Sequence, residues 1–162
     1  MIHDGLKIRR LNLEESKTTF FLEIGGLEVI KKVHKIFYDK IYAHPWIGKF
    51  FQGIDQNVIE SQQTDFMGQN FGGPVYYLGK LPVATHKHML ITEKLFELRS
   101  SLLEESLIEA GLAPEHIRKW LKVDSAFKNG IVKKNIEDCE KRFFTDSLQT
   151  YEDPYELKRS GS

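Results

Sequence analysis

The 162-residue sequence has a single cysteine, Cys139, and no excess of either charge, because 23 Lys and Arg residues balance 23 Asp and Glu residues. One thiol excludes an internal disulfide and an all-cysteine zinc site, and it is typical of a reducing compartment. Proteins that bind nucleic acid through its phosphates usually carry a basic excess. We therefore expect a cytoplasmic protein that does not bind nucleic acid.

Long apolar runs are also absent. No stretch offers the roughly 20 apolar residues that a membrane-spanning helix needs, and the residues after Met1 contain no run of signal-peptide length. The fingerprints of phosphate loops, dinucleotide-binding turns and serine hydrolases are missing as well. A membrane is therefore not an expected partner, and none of these enzyme classes is indicated.

Aromatic residues are what the sequence does have. Eleven Phe, six Tyr and two Trp residues make up 12% of the chain, and hydrophobic residues as a whole make up 41%. This composition, together with the length, indicates one folded globular domain with many large flat side chains.

The spacing of the apolar residues predicts an all-α fold. Apolar residues recur every three or four positions from Leu27 to Ile41, and Pro45 ends that helix. The last helix is expected to continue past Phe127 and Ile131. Around this core we expect an arm or short helix over residues 1–21, one domain over residues 22–145 and a disordered tail over residues 146–162. Other helix boundaries are predicted at Asp55, Gly72-Gly73-Pro74, Pro82, Thr92, Gly111 and Pro114.

One predicted helix breaks the apolar pattern. The inward stripe of residues 56–71 includes two glutamines, and a buried amide without a hydrogen-bond partner costs about 1–3 kcal/mol. Two interpretations stay open: the amides are half exposed to water, or they face an object that accepts their hydrogen bonds. The stripe comprises Ile59, Gln62, Gln63, Phe66, Met67 and Asn70.

Three histidines need an interpretation. His86 and His88 are two positions apart on a predicted helix, so one is expected to face inward and the other to face water. His34 lies one turn before Tyr38 on the same stripe, and it either packs in the core or lines a pocket. None of the three belongs to a spacing typical of a zinc site.

An ordered set of motifs resembles the truncated haemoglobins, the short two-over-two helical globins, and within them group I. The likeness extends over residues 22–123 and also includes Ile24-Gly25-Gly26 and Ala110-Gly111-Leu112. It implies a two-over-two helical sandwich around a haem b group. The motifs are Phe37-Tyr38, Phe50-Phe51, Gln62-Gln63, Phe71-Gly72-Gly73-Pro74, Tyr77, His86, Ile91-Thr92 and Phe96.

The resemblance also implies roles for particular residues. His86 matches the proximal histidine that ligates the haem iron, which places His88 on the outer side. Tyr38 and Gln63 match the distal pair that holds bound oxygen. Two points stay open: whether Lys80 or Lys87 pairs with a haem propionate, and whether Arg99 reaches a propionate or lies outside the pocket. Residues that match the walls of the haem pocket are Phe37, Phe51, Ile59, Gln62, Phe66, Met67, Tyr77, Ile91 and Phe96.

Three functions are compatible with this resemblance. The first is nitric oxide dioxygenation, in which oxygen and nitric oxide give nitrate and an unidentified electron donor is needed. The second is binding, scavenging or sensing of oxygen without turnover. The third is a helical interaction domain that has lost haem, which the presence of His86 argues against.

Overall fold

The computed structural model describes residues 18–156, and within them all regular secondary structure is helical. The all-α prediction is confirmed. Most of the predicted N-terminal arm, residues 1–17, lies outside the described part of the chain. The helices are α1 (Phe20–Glu23), α2 (Leu27–Ala43), a 3-10 helix (Ile47–Phe51), α3 (Gln56–Asn70), α4 (Pro82–His86), α5 (Glu93–Glu109), α6 (Pro114–Ser125), α7 (Lys128–Ile131) and a 3-10 helix (Ile136–Asp138).

The four longest helices form two packed pairs. Helix α2 packs against α3 and against α5, and α5 packs against α6. Their contact surfaces bury large side chains almost completely, including Trp120, Leu107 and Ile30, each 0% exposed. Burying an aromatic or branched aliphatic side chain contributes about 1.5–3 kcal/mol, so these contacts account for much of the stability.

At the two ends of α3 and at the start of α5, local sequence signals act where they were predicted. The Asp55 carboxylate accepts a hydrogen bond from the Val58 amide at 3.2 Å, and the Thr92 hydroxyl accepts one from the Leu95 amide at 3.3 Å. Gly72, just after α3, has a φ of 91°, a left-handed conformation that glycine adopts without a steric cost. Side-chain caps thus begin α3 and α5, and a glycine allows the chain to turn away after α3.

The predicted last helix is broken into two. Helix α6 ends at Ser125, and the four-residue α7 begins at Lys128. Gly130 lies in α7 where a Cβ atom would come within 2.7 Å of Val83 Cγ2 on α4. The glycine therefore permits the close approach of α7 to α4, and the chain bends rather than continuing the α6 axis.

The chain after α7 differs from the disorder predicted for residues 146–162. We call residues 132–156 the C-terminal segment. The Trp46 indole donates a hydrogen bond to the Tyr151 carbonyl at 2.8 Å, and the Tyr151 ring packs edge-on against Phe50 with centroids 4.8 Å apart. Residues 146–156 are thus packed on the domain, while residues 157–162 lie outside the described part. No helix between residues 18 and 156 is long and apolar enough to cross a membrane.

Candidate functional site

A cavity of about 160 Å³ lies between the two helix pairs and is walled on one side by α4. Its walls are mostly apolar, and one end carries an ion pair. Most pockets that take small organic ligands have this combination of apolar walls and few polar groups. The lining residues are Tyr38, Phe51, Ile59, Gln62, Gln63, Phe66, Met67, Tyr77, Lys80, Pro82, Thr85, His86, Ile91, Phe96, Arg99, Asp124, Phe127 and Ile131.

The structure brings nearly all the predicted site residues to this cavity. They come from separate elements, namely α2, the first 3-10 helix, α3, the loop after it, α4, the loop after α4, and α5. Phe37 is the one that does not line the cavity. It lies one layer deeper, 2% exposed, with its ring against the Tyr38 ring at a centroid distance of 5.0 Å. Adjacent residues on a helix point in different directions, so Phe37 and Tyr38 cannot both point into the cavity.

His86 is the residue whose geometry is most informative. Its Nδ1 atom lies 2.7 Å from the Pro82 carbonyl oxygen. A carbonyl oxygen can only accept a hydrogen bond, so Nδ1 carries the proton and the lone pair is on Nε2. Burial lowers the pKa of His86 to about 4, which keeps the ring neutral near pH 7. A neutral imidazole held by its second nitrogen is the form in which histidine ligates a metal.

The opposite wall offers two hydrogen-bond donors. Burial raises the pKa of the Tyr38 hydroxyl, so Tyr38 remains protonated and able to donate. Gln63 is half-buried and Gln62 is exposed, and both line the cavity. The predicted inward stripe of α3 is therefore shifted, since its fully buried residues are Thr64, Phe66, Met67 and Gly68. The amides border the cavity instead of penetrating the core.

Arg99 lines the cavity and is paired with Asp124, an arrangement that sequence reasoning did not find. Its two terminal nitrogens contact the two Asp124 carboxylate oxygens at 2.6 and 3.0 Å. The guanidinium also lies over the Phe37 ring, 5.4 Å from its centroid. The Asp124 side chain is 5% exposed, and this carboxylate raises the pKa of Arg99 against the opposing effect of burial. The only sequence signal was an arginine on an otherwise apolar helix face.

Two other histidines are placed away from the cavity. His88 was predicted to face water, but it is 1% exposed because the C-terminal segment covers it, with Gln149 donating its amide to the His88 carbonyl at 2.8 Å. The His34 Nδ1 atom pairs with the Thr64 hydroxyl at 2.9 Å. Burial, reinforced by the positive charge of Arg99, lowers the pKa of His34 to about 3. His34 is thus a core histidine with a partner.

Comparison with known proteins agrees with the helical architecture. The family described as bacterial-like globin matches residues 19–133, which is well over half of the chain. The chain belongs to the truncated haemoglobins. It is 31% identical over 105 residues to a group 1 truncated hemoglobin of Tetrahymena pyriformis, covering 65% of this chain and 87% of that protein. It is 28% identical over 116 residues to group 1 truncated hemoglobin LI410 of Chlamydomonas moewusii, covering 70% and 68%.

The fold of this truncated haemoglobin agrees with solved structures of the family. The crystal structure of truncated hemoglobin from Tetrahymena pyriformis in its Fe(III) form matches with a TM-score of 0.68 and 29% identity, covering 72% of this chain and 100% of that one. Membership of the globin family implies that the protein binds haem and a diatomic gas.

The residues of this truncated haemoglobin fit a haem group. The Nδ1 proton of His86 is already engaged by the Pro82 carbonyl, so Nε2 is the nitrogen left to ligate an iron atom in the cavity. The remaining walls are mainly aromatic and aliphatic, as a flat macrocycle requires. Lys80 borders the cavity, whereas Lys87 does not, so of the two lysines considered as propionate partners only Lys80 is near.

Proposed function

We propose that the protein holds haem b in this cavity with His86 as the proximal iron ligand, and that it binds oxygen and converts nitric oxide to nitrate. The observation that carries the proposal is the His86–Pro82 hydrogen bond, which fixes the ring tautomer and leaves Nε2 free. The other predicted wall residues support it, since all except Phe37 line the same cavity.

The haem, when bound, supplies an iron atom that takes a diatomic gas at its open coordination position. Side chains of the protein supply the hydrogen bonds and the apolar surroundings. With haem bound, the Tyr38 hydroxyl and the Gln63 amide would donate hydrogen bonds to the gas, and the apolar walls around Phe66 and Met67 would keep water away from it. A hydrogen bond to a charged or strongly polarised acceptor contributes about 1.5–3 kcal/mol, which slows release of the gas roughly ten- to hundredfold.

Haem binding is tested by absorption spectroscopy of reconstituted protein. Wild type should show a strong Soret band, and His86→Ala should lose most of it and regain it when free imidazole is added. His88→Ala is the matched control, because His88 lies two residues away and outside the cavity. An equal loss in both variants, or a full Soret band without imidazole in His86→Ala, would contradict the assignment of the ligand.

The distal pair is tested by the rate at which oxygen dissociates. Tyr38→Phe removes the hydroxyl and keeps the ring that packs against Phe37 and Phe51. Oxygen release measured by stopped flow should accelerate about tenfold or more. Tyr42→Phe is the control, since the Tyr42 hydroxyl donates instead to the Ile54 carbonyl at 2.8 Å. An unchanged rate in Tyr38→Phe would remove Tyr38 from this role.

The reaction itself is tested by rapid mixing of the oxygenated protein with nitric oxide. One nitric oxide, one oxygen molecule and one electron combine to give nitrate, and we propose that an electron donor, a cytoplasmic reductase, supplies this electron. Stoichiometric nitrate formed at a rate close to diffusion supports the proposal. Slow or absent nitrate formation would leave oxygen binding without turnover as the function.

A further inference from the structure

The part of the chain that follows His86 has little structure of its own. Helix α4 is five residues long and none of its residues is fully buried. So short a helix is not stable by itself, because nucleating a helical turn is unfavourable. We call residues 87–91 the proximal loop. The bond from His86 Nδ1 to the Pro82 carbonyl lies within this short helix, so contacts from elsewhere in the chain are needed to hold the helix, and with it His86, in place.

The C-terminal segment provides these contacts through its backbone. The Glu140 amide donates to the Lys87 carbonyl at 2.8 Å, and the Gln149 amide donates to the His88 carbonyl at 2.8 Å. The Leu90 amide donates in return to the Gln149 carbonyl at 2.8 Å, so that Met89 and Gln149 form an isolated parallel bridge. The proximal loop is thus held by backbone hydrogen bonds from two separate positions of the C-terminal segment, Glu140 and Gln149.

Lys133 adds a second kind of contact. Its ammonium group donates to the carbonyl oxygens of His86 at 2.9 Å, Met89 at 3.1 Å and Ile131 at 3.1 Å. Its backbone amide also donates to the Ile91 carbonyl at 2.9 Å. An ammonium group has three N–H donors, and all three are engaged here. One side chain therefore joins the end of α4, the proximal loop and the end of α7.

The far end of the C-terminal segment is anchored to α5 and to the stretch between α2 and α3. Lys94, on α5, contacts Asp153 at 2.7 Å and Glu156 at 2.6 Å, while Trp46 and Phe50 hold Tyr151. Between these anchors and Lys133, Arg142 pairs with Asp146 at 2.8 Å. The segment is thus fixed at its far end to the part of the domain that carries the core.

Most of this segment lies beyond the part of the chain that its relatives share. The family match ends at residue 133, and 72% of this chain suffices to cover the whole of the Tetrahymena pyriformis structure. Residues 134–156 are therefore an addition to the matched globin domain, and Glu140 and Gln149 among them bond to the proximal loop, whereas Lys133 is the last matched residue.

We propose that the C-terminal segment is a brace for His86: by bonding to residues 86–91 it holds the imidazole in one orientation toward the cavity. This inference rests on the proposed function, because the orientation of His86 matters only if the ring ligates haem iron. Lys133 is then a positioning residue, which acts on the iron ligand through the His86 carbonyl and the loop.

The full-length holoprotein tests the brace through Lys133→Met, with Lys134→Met as the matched control, because Lys134 is the next residue and is exposed. In Lys133→Met we expect the iron–histidine stretching band of the ferrous protein to broaden or shift, and haem transfer to an acceptor apoglobin to accelerate about tenfold. Lys133→Arg should recover most of both properties, since a guanidinium also donates several hydrogen bonds. Wild-type behaviour of Lys133→Met in both measurements would overturn the inference.

A measurement on the haem-free protein separates the two proposals. Hydrogen exchange at the amides of residues 87–91 should be faster in Lys133→Met than in wild type, while exchange in α2 and α5 should stay unchanged. Faster exchange throughout the chain would mean that the variant only destabilises the fold, and this too would overturn the inference. Failure of the proposed function appears instead as retention of the full Soret band in His86→Ala.

Discussion

The two walls of the cavity are built in different ways. The distal wall consists of α2 and α3, which are 17 and 15 residues long and bury Phe37, Tyr38, Phe66 and Met67. The proximal wall consists of α4 and residues 87–91, and α4 buries no residue fully. Long helices fix their side chains by packing against each other, whereas a five-residue helix needs hydrogen bonds from another part of the chain. His86, the candidate iron ligand, lies in the proximal wall, which has little buried packing of its own.

The largest expected effect is the difference in stability lost when one side chain is truncated in each wall. Phe37→Ala should lower the free energy of unfolding by about 3–5 kcal/mol, because it empties a site that is 2% exposed in α2. Val83→Ala in α4 should cost about 0.5 kcal/mol or less, because Val83 is 61% exposed. Chemical denaturation of both variants checks this. Similar losses in the two would mean that the walls do not differ in the way described.

The ion pair of Arg99 on α5 with Asp124 on α6, which borders the cavity next to both walls, comes next in size. Asp124→Asn leaves the Arg99 charge without its carboxylate, and breaking a buried pair costs about 3–5 kcal/mol. We expect about 2–3 kcal/mol here, because 24% of the Arg99 side chain is accessible. The double variant Arg99→Met with Asp124→Leu should recover most of this loss in denaturation experiments. A double variant as unstable as Asp124→Asn would show that the pair stabilises the fold in its own right.

The pH dependence of stability tests the burial of His34, which lies on α2 in the distal wall. Burial lowers the pKa of His34 to about 3 from an ordinary value of 6.5. The unfolded chain therefore binds the proton first as the pH falls, so stability is fully present above about pH 6.5 and is lost toward pH 3. The slope is at most about 1.4 kcal/mol per pH unit for this residue. In haem-free protein, His34→Gln should show a shallower slope than wild type, and equal slopes would contradict the assignment.

The smallest effect concerns the contact of α4 with α7. Gly130→Ala should by itself change the free energy of unfolding little, since the gain in helix propensity of up to about 1 kcal/mol is offset by the clash with Val83. In a Val83→Ala background the same change should stabilise the protein by up to about 1 kcal/mol. A double-mutant cycle measures the difference, and an additive result would mean that the two helices do not meet at this point.

Much of the distal wall could be predicted from the sequence. The spacing of apolar residues in α2 and the caps at Asp55 and Thr92 depend on residues within four positions of each other, which a sequence shows directly. The resemblance to truncated haemoglobins added the cavity residues, and family membership is shown by the match over residues 19–133. The resemblance also assigned Phe37 to the pocket, and only the orientation of α2 showed that Tyr38 lines the cavity and Phe37 does not.

The proximal wall could be predicted less well. The sequence placed His86 and His88 on opposite sides, and this holds relative to the cavity, but it also placed His88 in water. Water is excluded there by residues some 60 positions further along, in a stretch that composition alone made look like a tail. The pairing of Gln149 with His88 leaves no periodic pattern, because a single parallel bridge involves too few residues to show alternation.

The sequence by itself determined most of the helices and their ends, because these follow from interactions between near neighbours in the chain. Most residues of the cavity were indicated only by the resemblance to truncated haemoglobins. The tertiary structure alone decided three further points: the partner of Arg99, the burial of His88 and the path of the C-terminal segment. Each depends on contacts between residues far apart in the chain, 25 positions for Arg99 and Asp124 and 105 for Trp46 and Tyr151. Such contacts depend on how the helices pack, and the spacing of residues along a helix does not encode them.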